Sequence, residues 1–178
     1  RHVTDPARFL RQQLRCRHHA GVLGTNAMNC GSRYEPPRPG DGLALRSKVL
    51  EQLSGPTVKV AVITAPAGYG KTSHAAALVA HDSRPAAWID VEARLDIAPG
   101  LLAELVGALC HVTDFDPAGL EAVGVASAEY STIIAPALGR AARRCSVPFV
   151  LVLDDVHLLS DHAATDLITA LISNVPDG

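Results

Sequence analysis

The chain has 178 residues, of which 48% are hydrophobic, 19% charged and 4% aromatic, and its formal net charge is −2. This length suits one domain with a real core, and the composition excludes a collagen-like chain, a disulfide-dense miniprotein and a wholly disordered chain. No uncharged apolar run approaches the ~18–20 residues of a membrane helix, and no secretory signal is recognisable, so we expect no membrane partner.

The charge is distributed unevenly. Residues 1–48 hold nine Lys/Arg and three Asp/Glu, a net of +6, whereas residues 49–178 carry −8. A basic arm on an acidic domain is compatible with contact to nucleic acid or membrane. Residues 1–33, however, show no steady periodicity and no interleaved aromatic residues, so we interpret them as a disordered basic extension. Because Met28 is the only methionine, whether residues 1–27 are native stays open.

The four cysteines are widely spaced and include no CxxC pair, which favours a reducing, cytoplasmic location over a disulfide framework. They are Cys16, Cys30, Cys110 and Cys145. The spacing of Cys16 and Cys30 with His18 and His19 matches no known pattern of zinc ligands, so no metal site is predicted in the basic extension.

The predicted elements begin with a Pro/Gly-rich linker over residues 32–42, followed by a short amphipathic helix over residues 43–53. Residues 34–56 therefore lead into a domain that spans residues 57–178. That domain opens with VKVAVIT (58–64), an apolar, β-branched segment typical of a strand buried on both faces. A loop, APAGYGKTS (65–73), and an alanine-rich helix, HAAALVA (74–80), come next.

The second half continues the alternation of strands and helices. It contains a strand over residues 85–90, a helix over 100–110, a helix over 128–145 interrupted at Pro136, a buried strand over 147–155 and a last helix over 164–173. This alternation predicts an α/β fold in which a parallel sheet is flanked by helices on both faces.

The strand–loop–helix around Lys71 carries the strongest chemical signal. Phosphate oxygens need several converging N–H donors, and Gly68 and Gly70 permit the backbone bend that this requires. The following helix adds unpaired N–H groups and the positive end of its dipole. Lys71 is suited to the outer phosphates and the Thr72 hydroxyl to a magnesium ion. The GxxxxGK[ST] pattern is incomplete, because Ala65 occupies the first glycine position.

Asp154 and Asp155 carry the second signal, because they follow an apolar strand and emerge at the carboxyl edge of a parallel sheet, where α/β proteins place ligands. Asp154 is predicted to hold magnesium, and Asp155 to orient or deprotonate the attacking water. The alternative for this pair is that both carboxylates only cap a turn.

The remaining candidate residues are given no role in the chemistry. For His157 a packed or solvent-facing role is the default, and Arg143 and Arg144 are interpreted as structural.

The segments APAGYGKTS, AAWID and FVLVLDDVHLL together resemble the P-loop nucleotide-binding domain of STAND signal-transduction ATPases. The resemblance is strongest to the large LuxR-family (MalT-like) transcriptional regulators, and it covers residues 34–178. It implies an ATP- and Mg²⁺-dependent switch in the cytoplasm with slow ATP hydrolysis to ADP. It also implies an unknown inducer, self-association, and DNA binding through a C-terminal domain that lies outside this sequence.

The resemblance further implies roles for individual residues. Lys71 and Asp155 match the catalytic positions, and Thr72 and Asp154 match the magnesium ligands. Leu45 and Arg46 match a patch near the base. The full set that would contact the nucleotide is Ala65, Pro66, Ala67, Gly68, Tyr69, Gly70, Lys71, Thr72, Ser73, Leu45 and Arg46.

Three features depart from the family or leave the function open. His74 stands where the family more often has an apolar residue, and VEARLD is a poor match to the acidic cluster expected after AAWID. The sequence also ends before the expected sensor strand, so the sheet would lack a central member, and we expect the chain to be marginally stable or prone to aggregate alone. Alternative functions are a small P-loop kinase or other phosphotransferase, and a nucleotide-binding module without turnover.

Overall fold

A computed structural model describes residues 32–39, 58–118, 120 and 129–175. It contains four α-helices and two strands within these ranges. In chain order they are α1 (Lys71–His81), β1 (Ala86–Asp90), α2 (Ala98–Val112), α3 (Ala135–Arg143), β2 (Val150–Asp154) and α4 (His162–Ser173). The predicted helix over residues 43–53 and most of the basic extension lie outside the described residues.

The two strands pair in parallel, so the predicted α/β fold with a parallel sheet flanked by helices is confirmed at this level. The register joins Ala86 to Val150 and Asp90 to Asp154. Because both strands run the same way, the chain must cross over between them, and α2 and α3 supply that crossover. The carboxyl ends of β1 and β2 therefore lie side by side at one edge of the sheet.

The core lies on one face of this sheet. Strand side chains alternate between faces, so Ala87 and Ile89 of β1 share a face with Leu151 and Leu153 of β2. These residues pack against the buried apolar side chains of the helices α2, α3 and α4. Trp88, Asp90, Val152 and Asp154 occupy the opposite face.

The prediction of a buried strand over residues 58–64 is wrong for the structure described here. No strand of the described residues pairs with this segment, and Val60 and Val62 are 43% and 80% exposed. A segment becomes a strand only when a neighbour completes its ladder of hydrogen bonds. Apolar, β-branched composition makes that pairing favourable but does not supply the partner. β2 likewise is half-buried along its length rather than fully buried.

The helix α2 and the interrupted helix before β2 agree with prediction. Pro99 lies in the first turn of α2, where its missing N–H removes no intrahelical bond. A π-helical turn, Tyr130–Ile134, precedes α3, and Pro136 lies in the first turn of α3. Since proline cannot donate to residue i−4, the predicted interruption at this residue takes the form of a widened turn.

The turn Ser32–Tyr34 packs onto the core although the sequence placed it at the border of the extension and the linker. Tyr34 is 2% exposed and its ring lies 6.0 Å from that of His111. Arg33 pairs with the buried carboxylate of Glu104, which also accepts a hydrogen bond from Arg94. This aromatic side chain and ion pair attach the segment to α2.

Asp114 joins the end of α2 to the approach to β2. Its carboxylate accepts bonds from the Ser146 hydroxyl at 2.5 Å and the Ser146 N–H at 3.0 Å. These bonds, led by the one from the Ser146 hydroxyl, hold the pKa of Asp114 well below its usual range. A depressed carboxyl pKa stabilises the fold above the ordinary pKa of about 3.9, and the contribution is lost as pH falls through the folded value.

We therefore expect Asp114→Asn to lower the urea midpoint at pH 7 and to make its decline below about pH 4 shallower than in the unmodified chain. Asp116→Asn is the matched control, because Asp116 is an exposed carboxylate two residues away that, within the described ranges, accepts a bond only from the nearby Ala118 N–H. Parallel acid curves for the Asp114→Asn variant and the unmodified chain would contradict the assignment.

None of the helices that the structure describes has the length and apolar character needed to cross a membrane.

Candidate functional site

The loop that the sequence predicts to bind phosphate, residues 65–73, is named the phosphate loop after that prediction, and it connects the segment 58–64 to α1. Gly68 and Gly70 have φ values of 81° and 75°, in the left-handed region that other residues rarely adopt. A turn bond from the Tyr69 N–H to the Pro66 carbonyl, at 3.4 Å, helps to close the loop. The two glycines are therefore required by the backbone path, as the sequence predicted.

The loop leaves a set of backbone donors without a protein acceptor. Among the described residues, no carbonyl or side chain accepts from the amide N–H groups of Ala67, Gly68 or the residues 70–73. The last of these donors belong to the first turn of α1, where an α-helix has no internal acceptors. An anion at this position would meet both these N–H groups and the positive end of the helix dipole.

Lys71 spans the loop. Its Nζ donates to the carbonyl of Ala65 at 3.2 Å, so the ammonium lies beside the first residue of the loop while its backbone lies at the start of α1. The bond is exposed, and no carboxylate of the described residues forms an ion pair with this lysine. The positive charge is therefore available to a ligand held by the loop.

Thr72 joins the phosphate loop to the sheet. Its hydroxyl donates to Oδ2 of Asp154 at 2.7 Å, across 82 positions of the sequence. Asp154 is the last residue of β2, and its side chain lies on the face opposite the main core. This single bond brings together the two signals that the sequence predicted to form one site, and it places the start of α1 on that face.

Asp155 follows directly in a left-handed conformation, with φ 55° and ψ 33°. Its N–H donates to Oδ1 of Asp154 at 3.0 Å. The carboxylate of Asp155 is 53% exposed, and His157 Nδ1 lies 3.7 Å from its Oδ1. The two neighbouring acids thus differ, since Asp154 is engaged by Thr72 and Asp155 projects into solvent.

Asp90 is an acidic residue at this edge that the sequence reasoning missed. It is the register partner of Asp154, and its Oδ1 accepts a hydrogen bond from the indole N–H of Trp88 at 2.7 Å. The rule that identified Asp154, a carboxylate at the end of an apolar strand, applies equally to the D of AAWID. A second carboxylate therefore lies next to Asp154 on the same face.

Reciprocal hydrogen bonds connect the loops that follow the two strands. Asp96 accepts from the Ser160 hydroxyl at 2.6 Å and from the Asp161 N–H at 2.8 Å. Asp161 in turn accepts from the Ala98 N–H at 3.1 Å and from the Ala163 N–H at 3.3 Å. The bonds to Ser160 and Asp161 lower the pKa of Asp96. The segment that carries Asp155 is thus held to the segment that follows β1.

The remaining predicted site residues are placed as follows. Pro66, Ala67 and Tyr69 are exposed on the loop, with Tyr69 at 71%, and Ser73 is half-buried in the first turn of α1. Leu45 and Arg46 lie outside the described residues, as do Cys16, His18, His19 and Cys30. Arg143 and Arg144 end α3 and are exposed.

The chemistry of the donors fits magnesium better than a transition metal. A threonine hydroxyl and an aspartate carboxylate are hard oxygen ligands, and magnesium is typically bound by one or two such groups together with water and phosphate oxygens. Within the described ranges, no group of three or more His, Cys, Asp and Glu side chains is arranged to hold a metal ion. The residues present therefore suit a metal that arrives with a phosphate ligand.

A scan against protein-family models, a search of curated proteins and a search of solved structures each found no match to this chain.

Proposed function

We propose that the chain is a P-loop nucleotide-binding domain that binds ATP or ADP with Mg²⁺. The observation that carries the proposal is the 2.7 Å bond between the Thr72 hydroxyl and Asp154. It joins a glycine-bent loop with unsatisfied N–H donors to a carboxylate at the carboxyl edge of a parallel sheet. A triphosphate with its magnesium ion needs both groups at one place.

Each residue has a distinct role in this proposal. The N–H groups of the phosphate loop donate hydrogen bonds to the inner phosphates, and Lys71 places its ammonium against the outer ones. Thr72 and Asp154 would hold magnesium, which neutralises charge that develops on the phosphate oxygens. Asp155 orients a water molecule or accepts its proton. Leu45 and Arg46 stay predicted contacts to the base.

We further propose that the domain acts as a switch in a bacterial signal-responsive transcriptional regulator, where slow hydrolysis controls self-association and DNA binding by the whole protein. The motif resemblance suggests this role, and the exposure of Asp155 is consistent with it. A carboxylate that is 53% exposed, and whose one ion-pair partner among the described residues is His157 at 3.7 Å, is not held where a fast general base must be. Cytoplasmic location and an unidentified inducer belong to the same proposal.

The exposed Asp155 equally suits a nucleotide-binding module without turnover, which is the second candidate. A kinase or other phosphotransferase is less well supported, because it needs free arginines over the loop. Arg84 pairs with Asp82 at 2.6 Å, and Arg94 pairs with Glu92 and Glu104. Two of the five arginines of residues 57–178, which are Arg84, Arg94, Arg140, Arg143 and Arg144, are therefore already engaged.

The neighbouring acids provide matched variants for the test. Calorimetric titration with ATP, with Mg²⁺ or with EDTA, should give tighter binding with Mg²⁺ for the unmodified chain. Asp154→Asn should remove most of that Mg²⁺ enhancement, on the order of tenfold, because the charged ligand is lost. Asp155→Asn should keep it, since asparagine tolerates the left-handed backbone and Asp155 does not hold the metal.

Phosphate release then separates the two candidates. A switch predicts slow hydrolysis that Asp155→Asn abolishes, whereas a module without turnover predicts none in either protein. Absence of ATP binding by the unmodified chain, or equal Mg²⁺ enhancement in all three proteins, would contradict the proposed site.

A further inference from the structure

His74 lies in the first turn of α1 and bonds to the last glycine of the phosphate loop. Its Nδ1 lies 2.7 Å from the carbonyl oxygen of Gly70, and the same oxygen accepts the His74 backbone N–H at 2.9 Å. Because a carbonyl oxygen can only accept, Nδ1 must carry a proton in this contact. The side chain therefore adds a second hydrogen bond to a carbonyl that the helix already uses.

This contact determines the direction of a neighbouring donor. The peptide that joins Gly70 to Lys71 is planar and trans, so its C=O and N–H point in opposite directions. With the carbonyl held toward the body of α1, the Lys71 N–H must point out of the amino end of the helix. That is the direction from which an anion would approach the loop.

No other side chain performs this function among the described residues. Gly70 is the N-cap of α1 and has no side chain with which to cap the helix. The imidazole lies against this glycine, since a Cβ added to Gly70 would meet Nδ1 at 3.4 Å. The left-handed glycine, which is intrinsically flexible, is thus held by the residue four positions later.

We propose that His74 is a positioning residue for phosphate binding: its Nδ1–H fixes the Gly70–Lys71 peptide so that the Lys71 N–H faces the ligand. The inference rests on the proposed nucleotide-binding function and extends it to a residue that touches no phosphate.

The molecule supplies both a control and a rescue. His81 makes the same contact at the other end of α1, with Nδ1 2.8 Å from the Ala77 carbonyl, away from the loop. Asn174 donates from Nδ2 to the Ala170 carbonyl, also four residues back, at 2.8 Å. An asparagine side chain can therefore make this type of bond, which makes His74→Asn the conservative variant.

The experiment measures ADP and ATP affinity by calorimetry, and thermal unfolding, for the unmodified chain and for His74→Ala, His74→Asn, His81→Ala and Lys71→Ala. We expect His74→Ala to weaken both affinities by about 3- to 10-fold, the range for loss of one hydrogen bond. His74→Asn should stay within about twofold of the unmodified chain. His81→Ala should shift the midpoint of thermal unfolding as much as His74→Ala does, without a change in affinity.

The outcomes separate this inference from the proposed function. If Lys71→Ala weakens binding but His74→Ala does not, the positioning role is wrong and the nucleotide site stands. If His74→Asn binds nucleotide as weakly as His74→Ala, or if His81→Ala lowers the affinity equally, the bond to Gly70 does not cause the loss of affinity. Either result overturns the inference. If the unmodified chain binds neither nucleotide, both proposals fail.

Discussion

Replacing Lys71 with alanine is expected to weaken ATP binding about 100-fold. The ammonium is a full charge that lies across the loop beside the Ala65 carbonyl, with no carboxylate of the described residues to neutralise it. Charge-assisted hydrogen bonds contribute about 1.5–3 kcal/mol each, and a unit charge near the phosphates adds long-range attraction. A loss of about 3 kcal/mol corresponds to the expected factor.

Lys59→Ala is the matched control, because it removes the same charge from an exposed residue six positions before the loop. The affinity of the Lys59→Ala variant for ATP should stay close to that of the unmodified chain, particularly at physiological salt, where distant charges are screened. Equal affinities for Lys71→Ala and the unmodified chain would contradict the assignment of the phosphate loop. Equal losses for both lysine variants would indicate only a general effect of charge.

The largest expected effect on stability comes from Gly107→Ala in the middle of α2. A Cβ at this position would overlap the hydroxyl of Tyr34 and lie 2.9 Å from its Cζ. Tyr34 is 2% exposed and its hydroxyl donates to Oε2 of Glu104 at 3.3 Å, so moving the ring would disturb a buried contact. We expect a loss of about 2–3 kcal/mol in the free energy of unfolding, measured by urea denaturation, as for other overpacked sites.

The cause can be isolated by repeating the substitution in a chain that already carries Tyr34→Ala. Tyr34→Ala removes the overlapping atoms. In that background Gly107→Ala should be neutral or should stabilise the chain by up to about 1 kcal/mol through helix propensity. Equal costs in the two backgrounds would show that the penalty does not come from the contact with Tyr34. The cycle therefore tests whether the turn Ser32–Tyr34 is docked on α2 in solution.

Several features of this protein were predictable because they depend on residues close together in the chain. The helices α1, α2 and α4, the strand β1 and the interruption before α3 follow from propensity, apolar spacing and the positions of proline. The glycines of the phosphate loop belong to the same class, since their left-handed conformations reflect a local backbone requirement. The contact of His74 with Gly70 is also local, but spacing alone does not reveal the rotamer that makes it.

Other features were decided by residues far apart, whose contacts depend on the free energy of the whole core. The segment 58–64 has the composition of a buried strand and yet has no strand partner among the described residues, because a ladder needs a neighbour. Tyr34 lies in a polar, proline-rich segment, and its burial depends on contacts with Gly107 and His111 of α2, more than 70 positions later in the chain. The proximity of Asp90 to Asp154 depends on the register of β1 and β2, and that of Thr72 to Asp154 on the packing of α1. Local sequence thus specifies the groups proposed to bind phosphate and metal, while strand pairing and helix packing bring them together.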